Sequence, residues 1–152
     1  MIEKILVATD ASGASERALE MAAQLCNLYN AELHIIHVIR DMQIPFEIQE
    51  IPELESDTIE SFQSAREEIM RKIAETILRK ARVTAENKGA KSAKTTIGTG
   101  DPATAILSYS KRREIDMIVM GTRGLSKLKG TILGSVSRKV TNNAEVSCLT
   151  VR

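Results

Sequence analysis

The fold is decided by residues 116–124, DMIVMGTRG. The part 116–120 is an unbroken apolar run after its leading acid, which is typical of a strand that a parallel sheet buries on both faces. Gly121 and Gly124 follow at once, and nine residues separate Gly124 from Gly134, where a helical pattern begins. A strand that passes through a glycine-bearing loop into a helix predicts an α/β fold.

Strands and helices alternate along the rest of the chain. The predicted strands are 5–8, 32–39, 91–97, 116–120 and 146–151, and the predicted helices are 14–30, 57–88, 102–113 and 135–142. The stretch 41–56 has two prolines and no clear period, which predicts a long loop. The pattern predicts a single domain over 1–152, an α/β fold with a parallel sheet and helices on both faces.

Composition excludes several classes of protein. The chain has 152 residues, and its 21 Lys and Arg balance 20 Asp and Glu, so a nucleic-acid partner is not expected. The sequence contains no run of 18 apolar residues, so a membrane span is not predicted, and the apolar start is too short for a signal peptide. Cys26 and Cys148 are too far apart for a disulfide framework or a zinc pattern. We therefore expect a cytoplasmic protein.

The loop after residue 120 has the chemistry of an anion site. Gly121, Gly124 and Gly134 let the backbone approach a phosphate closely, and the helix that begins at Ser135 offers free N–H groups. Three cations lie in the same loop: Arg123, Lys127 and Lys129. The alternative interpretation is a surface loop with solvated lysines. The spacing is not that of a P-loop, because the Gly-Lys-Ser/Thr element is missing.

Two other segments bear on the choice of ligand. The segment 98–103, GTGDPA, resembles a dinucleotide fingerprint, but Asp101 as N-cap and Pro102 as first helical residue account for it. Asp10 closes the first strand at the same edge of the sheet as Gly121, where it could accept hydrogen bonds from ribose hydroxyls, although it could also be a helix-start residue. We expect structural roles for the two histidines, on opposite faces of one strand, and for both cysteines.

Three segments together resemble the universal stress protein family. They are Val7-Ala8-Thr9-Asp10 with Ser12, then His37-Val38, then Gly121-x2-Gly124-x9-Gly134-Ser135. The resemblance covers essentially the whole chain. It implies a Rossmann-like fold of the adenine nucleotide alpha hydrolase-like type, with a five-stranded parallel sheet of order 3-2-1-4-5. It also implies the ATP-binding branch of the family, which the glycine motif marks.

The resemblance implies a set of binding residues. They are Thr9, Asp10, Val38, Met120, Gly121, Gly124, Gly134, Ser135 and Val136. The backbone of Val38 would meet the adenine edge, and the glycines with Ser135 would hold ribose and phosphates. The implied cofactor is ATP, or ADP or AMP, with Mg²⁺ or Mn²⁺ bridging the phosphates; no protein ligands for a metal and no catalytic residues are expected. On this site we expect Gly121→Val and Gly134→Val to abolish binding and leave the fold intact.

The resemblance also implies a homodimer through the last strand, 146–151. A hydrophobic edge strand invites pairing with another chain, although a monomer with a covered edge is the alternative. Many family members have a proline before this strand, whereas this chain reads Ala144-Glu145-Val146-Ser147. The expected function is a nucleotide-dependent regulatory module of the stress response with at most slow ATP hydrolysis. The alternatives are a nucleotide-free dimeric scaffold, and a slow ATP hydrolase or nucleotidyl transferase.

Overall fold

The computed structural model describes residues 1–41, 56–124 and 133–152. Its strands are β1 Lys4–Ala8, β2 Glu32–Ile39, β3 Ala93–Thr99, β4 Met117–Gly121 and β5 Ser147–Val151. Its helices are α1 Gly13–Tyr29, α2 Ser56–Asn87, α3 Pro102–Arg113 and α4 Ser135–Asn143. Most of the predicted loop 41–56 and part of the loop after residue 124 lie outside the described residues.

The described strands form one parallel sheet in the order β3-β2-β1-β4-β5. The predicted fold class and strand order are therefore confirmed. β1 lies at the centre, where Val7 is in register with Ile35 of β2 and with Val119 of β4. Because every strand runs the same way, the ends of β1, β2 and β4 meet at one carboxyl edge of the sheet.

The alternation of side chains along the strands divides the core between the two faces. Odd-numbered residues such as Val7 and Ile35 pack with α1 and α2. Even-numbered residues such as Leu6 and Ile36 pack with α3 and α4. Helices therefore cover both faces, as predicted. No helix in the described ranges combines the length and the apolar character that a bilayer span requires.

The capping predicted for α3 is present. Asp101 is the N-cap, its Oδ1 accepts from the Thr104 backbone N–H at 2.9 Å, and Pro102 is the first helical residue. Hydrogen bonds from the hydroxyl and the backbone N–H of Thr104, helped by Lys139 at 3.1 Å, lower the pKa of Asp101 to about 2. This carboxylate serves the start of α3, which accounts for the dinucleotide-like segment.

The cysteines and histidines have structural surroundings. Burial raises the pKa of the Cys26 thiol to about 12 and also raises that of the half-buried Cys148. His34 is buried on the α3 side, where its Nδ1 lies 2.7 Å from the hydroxyl of Tyr109. His37 points to the other face, and its Nδ1 donates to the backbone oxygen of Thr9 at 2.8 Å. The two rings cannot share a metal ion.

Protonation of His34 makes stability depend on pH. Burial lowers the pKa of His34 below its ordinary value of 6.5, against the opposing hydrogen bond between its Nε2 and Glu32. As the pH falls below about 6.5, the unfolded chain takes up the proton before the folded chain does, so the free energy of unfolding decreases. We expect urea unfolding between pH 7.5 and 5 to show this decrease, and His34→Gln to reduce it. His37→Gln is the control, since it leaves His34 in place. If the free energy of unfolding of His34→Gln decreased with falling pH as steeply as that of the parent, His34 would not be the cause.

Candidate functional site

A cleft opens at the carboxyl edge of the sheet, between the ends of β1, β2 and β4. Seven of the nine predicted site residues line it: Thr9, Asp10, Val38, Met120, Gly121, Gly124 and Val136. Even-numbered strand residues provide its floor, since Ala8, Ile36 and Met120 all point to the face that carries α3 and α4. Three segments that are distant in the sequence therefore meet at one place.

Asp10 is held in the turn that follows β1. Its Oδ1 accepts a hydrogen bond from the backbone N–H of Ser12 at 3.0 Å, and Ser12 is the N-cap of α1. The next residue, Ala11, has a φ of 62°, a left-handed conformation that non-glycine residues adopt at a cost. The surrounding structure therefore imposes this turn, which fixes the carboxylate at the rim of the cleft.

Gly124 lies directly against Asp10. A Cβ atom added to Gly124 would collide with the Oδ2 of Asp10, although the backbone at Gly124 is not left-handed. The absence of a side chain here is what lets the loop after β4 approach the carboxylate. Arg123 lines the cleft beside it and adds a cation to this end.

Thr9 lines the cleft but uses its hydroxyl inside the protein. The Thr9 side chain is 6% exposed, its Oγ1 accepts from the backbone N–H of Ala11 at 3.2 Å, and the same oxygen lies 3.2 Å from the Oγ of Ser15. Its contribution is therefore to stabilise the turn that presents Asp10.

Gly121 is required by the packing of a helix against a strand. A Cβ atom on Gly121 would lie 2.8 Å from the carbonyl carbon of Ala14 and 3.0 Å from the nitrogen of Ser15, both in α1. The carbonyl oxygen of Gly121 also accepts from the Ser137 hydroxyl at 2.8 Å. The expectation that Gly121→Val leaves the fold intact is wrong, because the new side chain would meet backbone atoms.

Gly134 and Ser135 do not line the cleft. The N–H of Gly134 donates to the carbonyl oxygen of Thr122 at 2.7 Å, so this amide is already used within the protein. A Cβ atom on Gly134 would find its nearest neighbour, the same oxygen, at 3.5 Å, which is an ordinary contact. Ser135 is exposed at the first position of α4. The structure nevertheless brings Gly134 next to Gly124, since a Cβ atom on Gly134 would lie 3.9 Å from the Gly124 nitrogen. The binding role of Gly134 and Ser135 stays a prediction.

The first turn of α4 nevertheless reaches the cleft, through Val136 and Ser137. The N-cap of this helix, Gly134, has no side chain that could accept from the first N–H groups, whereas Asp101 caps α3. An uncapped N-terminus leaves backbone N–H groups and the positive end of the helix dipole for an anion. The electrostatics of the cleft therefore favour negative charge at the α4 side.

Sequence reasoning did not assign several residues that line the cleft to the site. They are Ala8, Ser15, Ile36, Arg40, Pro102, Ile106 and Ser137. Arg123 also lines the cleft, and the sequence analysis named it only as a cation of the loop. The period of two in β2 could have found two of them, since Ile36 and Arg40 flank Val38 on the same face. Pro102 and Ile106 come from α3, and no local signal shows that this helix packs beside Val38.

The wall near Val38 depends on the edge strand of the sheet. Gly98 of β3 pairs with Val38, and a Cβ atom there would lie 3.2 Å from Val38 Cγ2 and 3.3 Å from Ile36 Cδ1. The same atom would lie 3.4 Å from the Cβ of Ala105 in α3. Gly98 therefore provides room for the side chains that form the apolar wall.

The cleft has two chemically different ends. Near β2 and α3 the wall is apolar, with Val38, Pro102 and Ile106. Near β4 and α4 the wall is polar, with Asp10 and Arg123 beside the uncapped helix. Within the described ranges, His, Cys, Asp and Glu side chains form no group of three that could hold a metal ion. Such a cleft suits a ligand with an apolar planar part and an anionic part.

Comparison with known proteins identifies the family. The model of the Universal stress protein family matches residues 1–152. Universal stress protein YxiE of Bacillus subtilis is 38% identical over 156 residues, with all of both chains covered. The chain belongs to the universal stress protein family. This confirms the family resemblance found in the sequence.

Solved structures of universal stress proteins share the fold. UspA from Lactobacillus plantarum superposes with a TM-score of 0.82 at 24% identity, over 99% of this chain and 98% of that chain. A universal stress protein in complex with cAMP superposes with a TM-score of 0.70 at 26% identity, over 99% and 97% of the two chains. The first likeness shows the fold, and the second comes from a family member crystallised with an adenine nucleotide.

Proposed function

We propose that this universal stress protein binds an adenine nucleotide, ATP or its mono- or diphosphate, in the cleft at the carboxyl edge of its sheet. The observation that carries the proposal is the meeting of Asp10, Val38 and Gly124 in one cleft with an apolar and an anion-favouring end. The related structure with cAMP supports the choice of an adenine nucleotide.

The polarity of the cleft orients the nucleotide in this proposal. The base lies at the apolar end, where the backbone of Val38 meets its edge. Asp10 accepts hydrogen bonds from the ribose hydroxyls. This role suits a carboxylate whose neighbour, Gly124, has no side chain. The phosphates lie towards Gly124, Arg123 and the N-terminus of α4. Gly121 contributes by shaping the strand end, and Met120 and Val136 pack beside the ligand.

A divalent cation would be held mainly by the ligand. Mg²⁺ is usually bound through one or two carboxylates together with substrate phosphates and water, so the single carboxylate of Asp10 is compatible with it. The ion would neutralise phosphate charge when bound. In the described part of the cleft there is no histidine that could act as a base, so we propose retention of the nucleotide with slow hydrolysis at most.

Calorimetric titration with ATP, ADP and AMP tests the proposal. We expect saturable binding of at least one of the three, since each has the base and the ribose that the cleft is proposed to hold. Phosphate release during the same incubation should stay near background. An absence of binding heat at millimolar nucleotide would contradict the proposal and favour the nucleotide-free scaffold, whereas rapid phosphate release would favour the hydrolase.

The oligomeric state of the protein can be measured on the same samples. The proposed regulatory module is a homodimer through β5, which forms one end of the described sheet and pairs on one side with β4. Val151 of β5 accepts from the N–H of Thr122 at 2.7 Å, so the strand is linked to the loop that borders the cleft. Light scattering should give twice the chain mass of 16.7 kDa. A monomer mass with and without ATP would contradict the dimer.

A further inference from the structure

Arg40 lines the cleft at the end of β2. It continues the even-numbered series Ile36-Val38-Arg40, so its side chain leaves the strand on the face that carries the cleft. Arg40 is exposed, and no hydrogen bond or ion pair engages it within residues 1–41, 56–124 and 133–152. Its guanidinium is therefore available at the mouth of the cleft, directly after the residue proposed to meet the base.

In the described part of the chain, the side chains at the apolar end of the cleft contact only one face of a planar base. Among the described residues that line it, none is aromatic, and the aliphatic side chains of Ile36, Val38 and Ile106 form one wall. A purine lying on that wall would turn its other face towards the mouth of the cleft, where Arg40 lies. A guanidinium is planar and weakly hydrated, and it stacks on aromatic rings, which an ammonium does not do.

Distance separates Arg40 from the anion-favouring end. β2 and β4 flank β1, so their ends are two strand spacings apart, about 9.5 Å. Arg123 and the N-terminus of α4 lie on the β4 side, where the phosphates are proposed to bind. Arg40 lies on the β2 side with Val38. Its position therefore matches the nucleoside rather than the phosphates.

We propose that Arg40 determines affinity for the nucleoside by stacking its guanidinium on the exposed face of the base. The inference rests on the proposed nucleotide site and adds a residue that closes its apolar end. It implies that both the charge and the planar shape of the side chain are needed.

Two substitutions separate stacking from charge. Arg40→Ala removes both, and Arg40→Lys keeps the charge without the planar group. We expect Arg40→Ala to bind ATP and adenosine about three- to fivefold more weakly, the scale of an exposed cation–π contact, and Arg40→Lys to bind both more weakly than the parent but more tightly than Arg40→Ala. Within each variant the factor should be the same for the two ligands. Calorimetry gives the dissociation constant for ATP, and ligand-detected NMR gives the dissociation constant for adenosine. Lys139→Ala is the control, since it removes another exposed cation, one that is paired with Asp101.

The outcomes are distinct. Full affinity in Arg40→Lys would overturn the proposal, because charge alone would then suffice. Weaker binding of ATP with unchanged binding of adenosine would also overturn it, since Arg40 would then act on the phosphates. If the parent protein binds neither ligand, the nucleotide site itself fails and Arg40 has no base to cover. Thermal unfolding of each variant should match the parent, because Arg40 is exposed.

Discussion

Gly124→Ala should weaken nucleotide binding about ten- to a hundredfold and leave the fold intact. The new Cβ atom would collide with the Oδ2 of Asp10, so the carboxylate would have to turn out of its present position, where its Oδ1 accepts from the backbone N–H of Ser12 at 3.0 Å. The backbone at Gly124 is not left-handed, so alanine fits its conformation. The rotated carboxylate would no longer face the ribose, and the loss of a hydrogen bond to a charged group costs about 1.5–3 kcal/mol, or roughly ten- to a hundredfold in affinity.

Calorimetry with ATP measures the effect, and two further variants interpret it. Gly13→Ala is the matched control, since its Cβ atom would lie 3.4 Å from the end of the Arg17 side chain, an ordinary contact. Asp10→Ala should weaken binding to a similar extent, and the double variant should be little worse than either single one, because both remove the same interaction. Parental affinity in Gly124→Ala would show that Asp10 does not contact the ligand.

Gly121→Ala should destabilise the protein itself. Its Cβ atom would lie 2.8 Å from the carbonyl carbon and 2.9 Å from the Cβ of Ala14, so α1 or β4 would have to shift. Overpacking of this kind costs about 1–3 kcal/mol. Urea unfolding should show a lower midpoint. Gly134→Ala is the control for stability, since the nearest described neighbour of its Cβ atom would lie at 3.5 Å. Equal midpoints for the two variants would contradict the packing argument.

The central strands were predictable because both of their faces are buried. Residues 5–8 and 117–120 read as unbroken apolar runs, and they form the adjacent strands β1 and β4. The edge strand β3 was predicted two residues too early, at 91–97 instead of Ala93–Thr99. Only one residue of β3, Ala93, is buried, so the apolar signal of the strand is weak. Gly98 was assigned to the dinucleotide-like segment 98–103, although it pairs with Val38.

The candidate site was only partly predictable. Asp10 and Val38 end strands, and the position of strand ends at the carboxyl edge follows from the parallel topology. The neighbours of the glycines do not follow from it: Gly121 packs against Ala14, more than a hundred residues away, and the amide of Gly134 is used by the protein. The spacing of the glycines predicts that their lack of a side chain is needed. Only the three-dimensional contacts show that Gly121 makes room for a helix and Gly124 for a carboxylate.

Gly98 gives the edge of the sheet an influence over a ligand it never touches. Because Gly98 has no side chain, it leaves room for Val38 and Ile36. A larger residue at position 98 would push these two side chains, which form part of the wall proposed to hold the base. Related proteins that differ at this position could differ in ligand preference while every contacting side chain stays the same. For the proposed nucleotide site, the size of residue 98 would therefore set the position of the wall from the neighbouring strand.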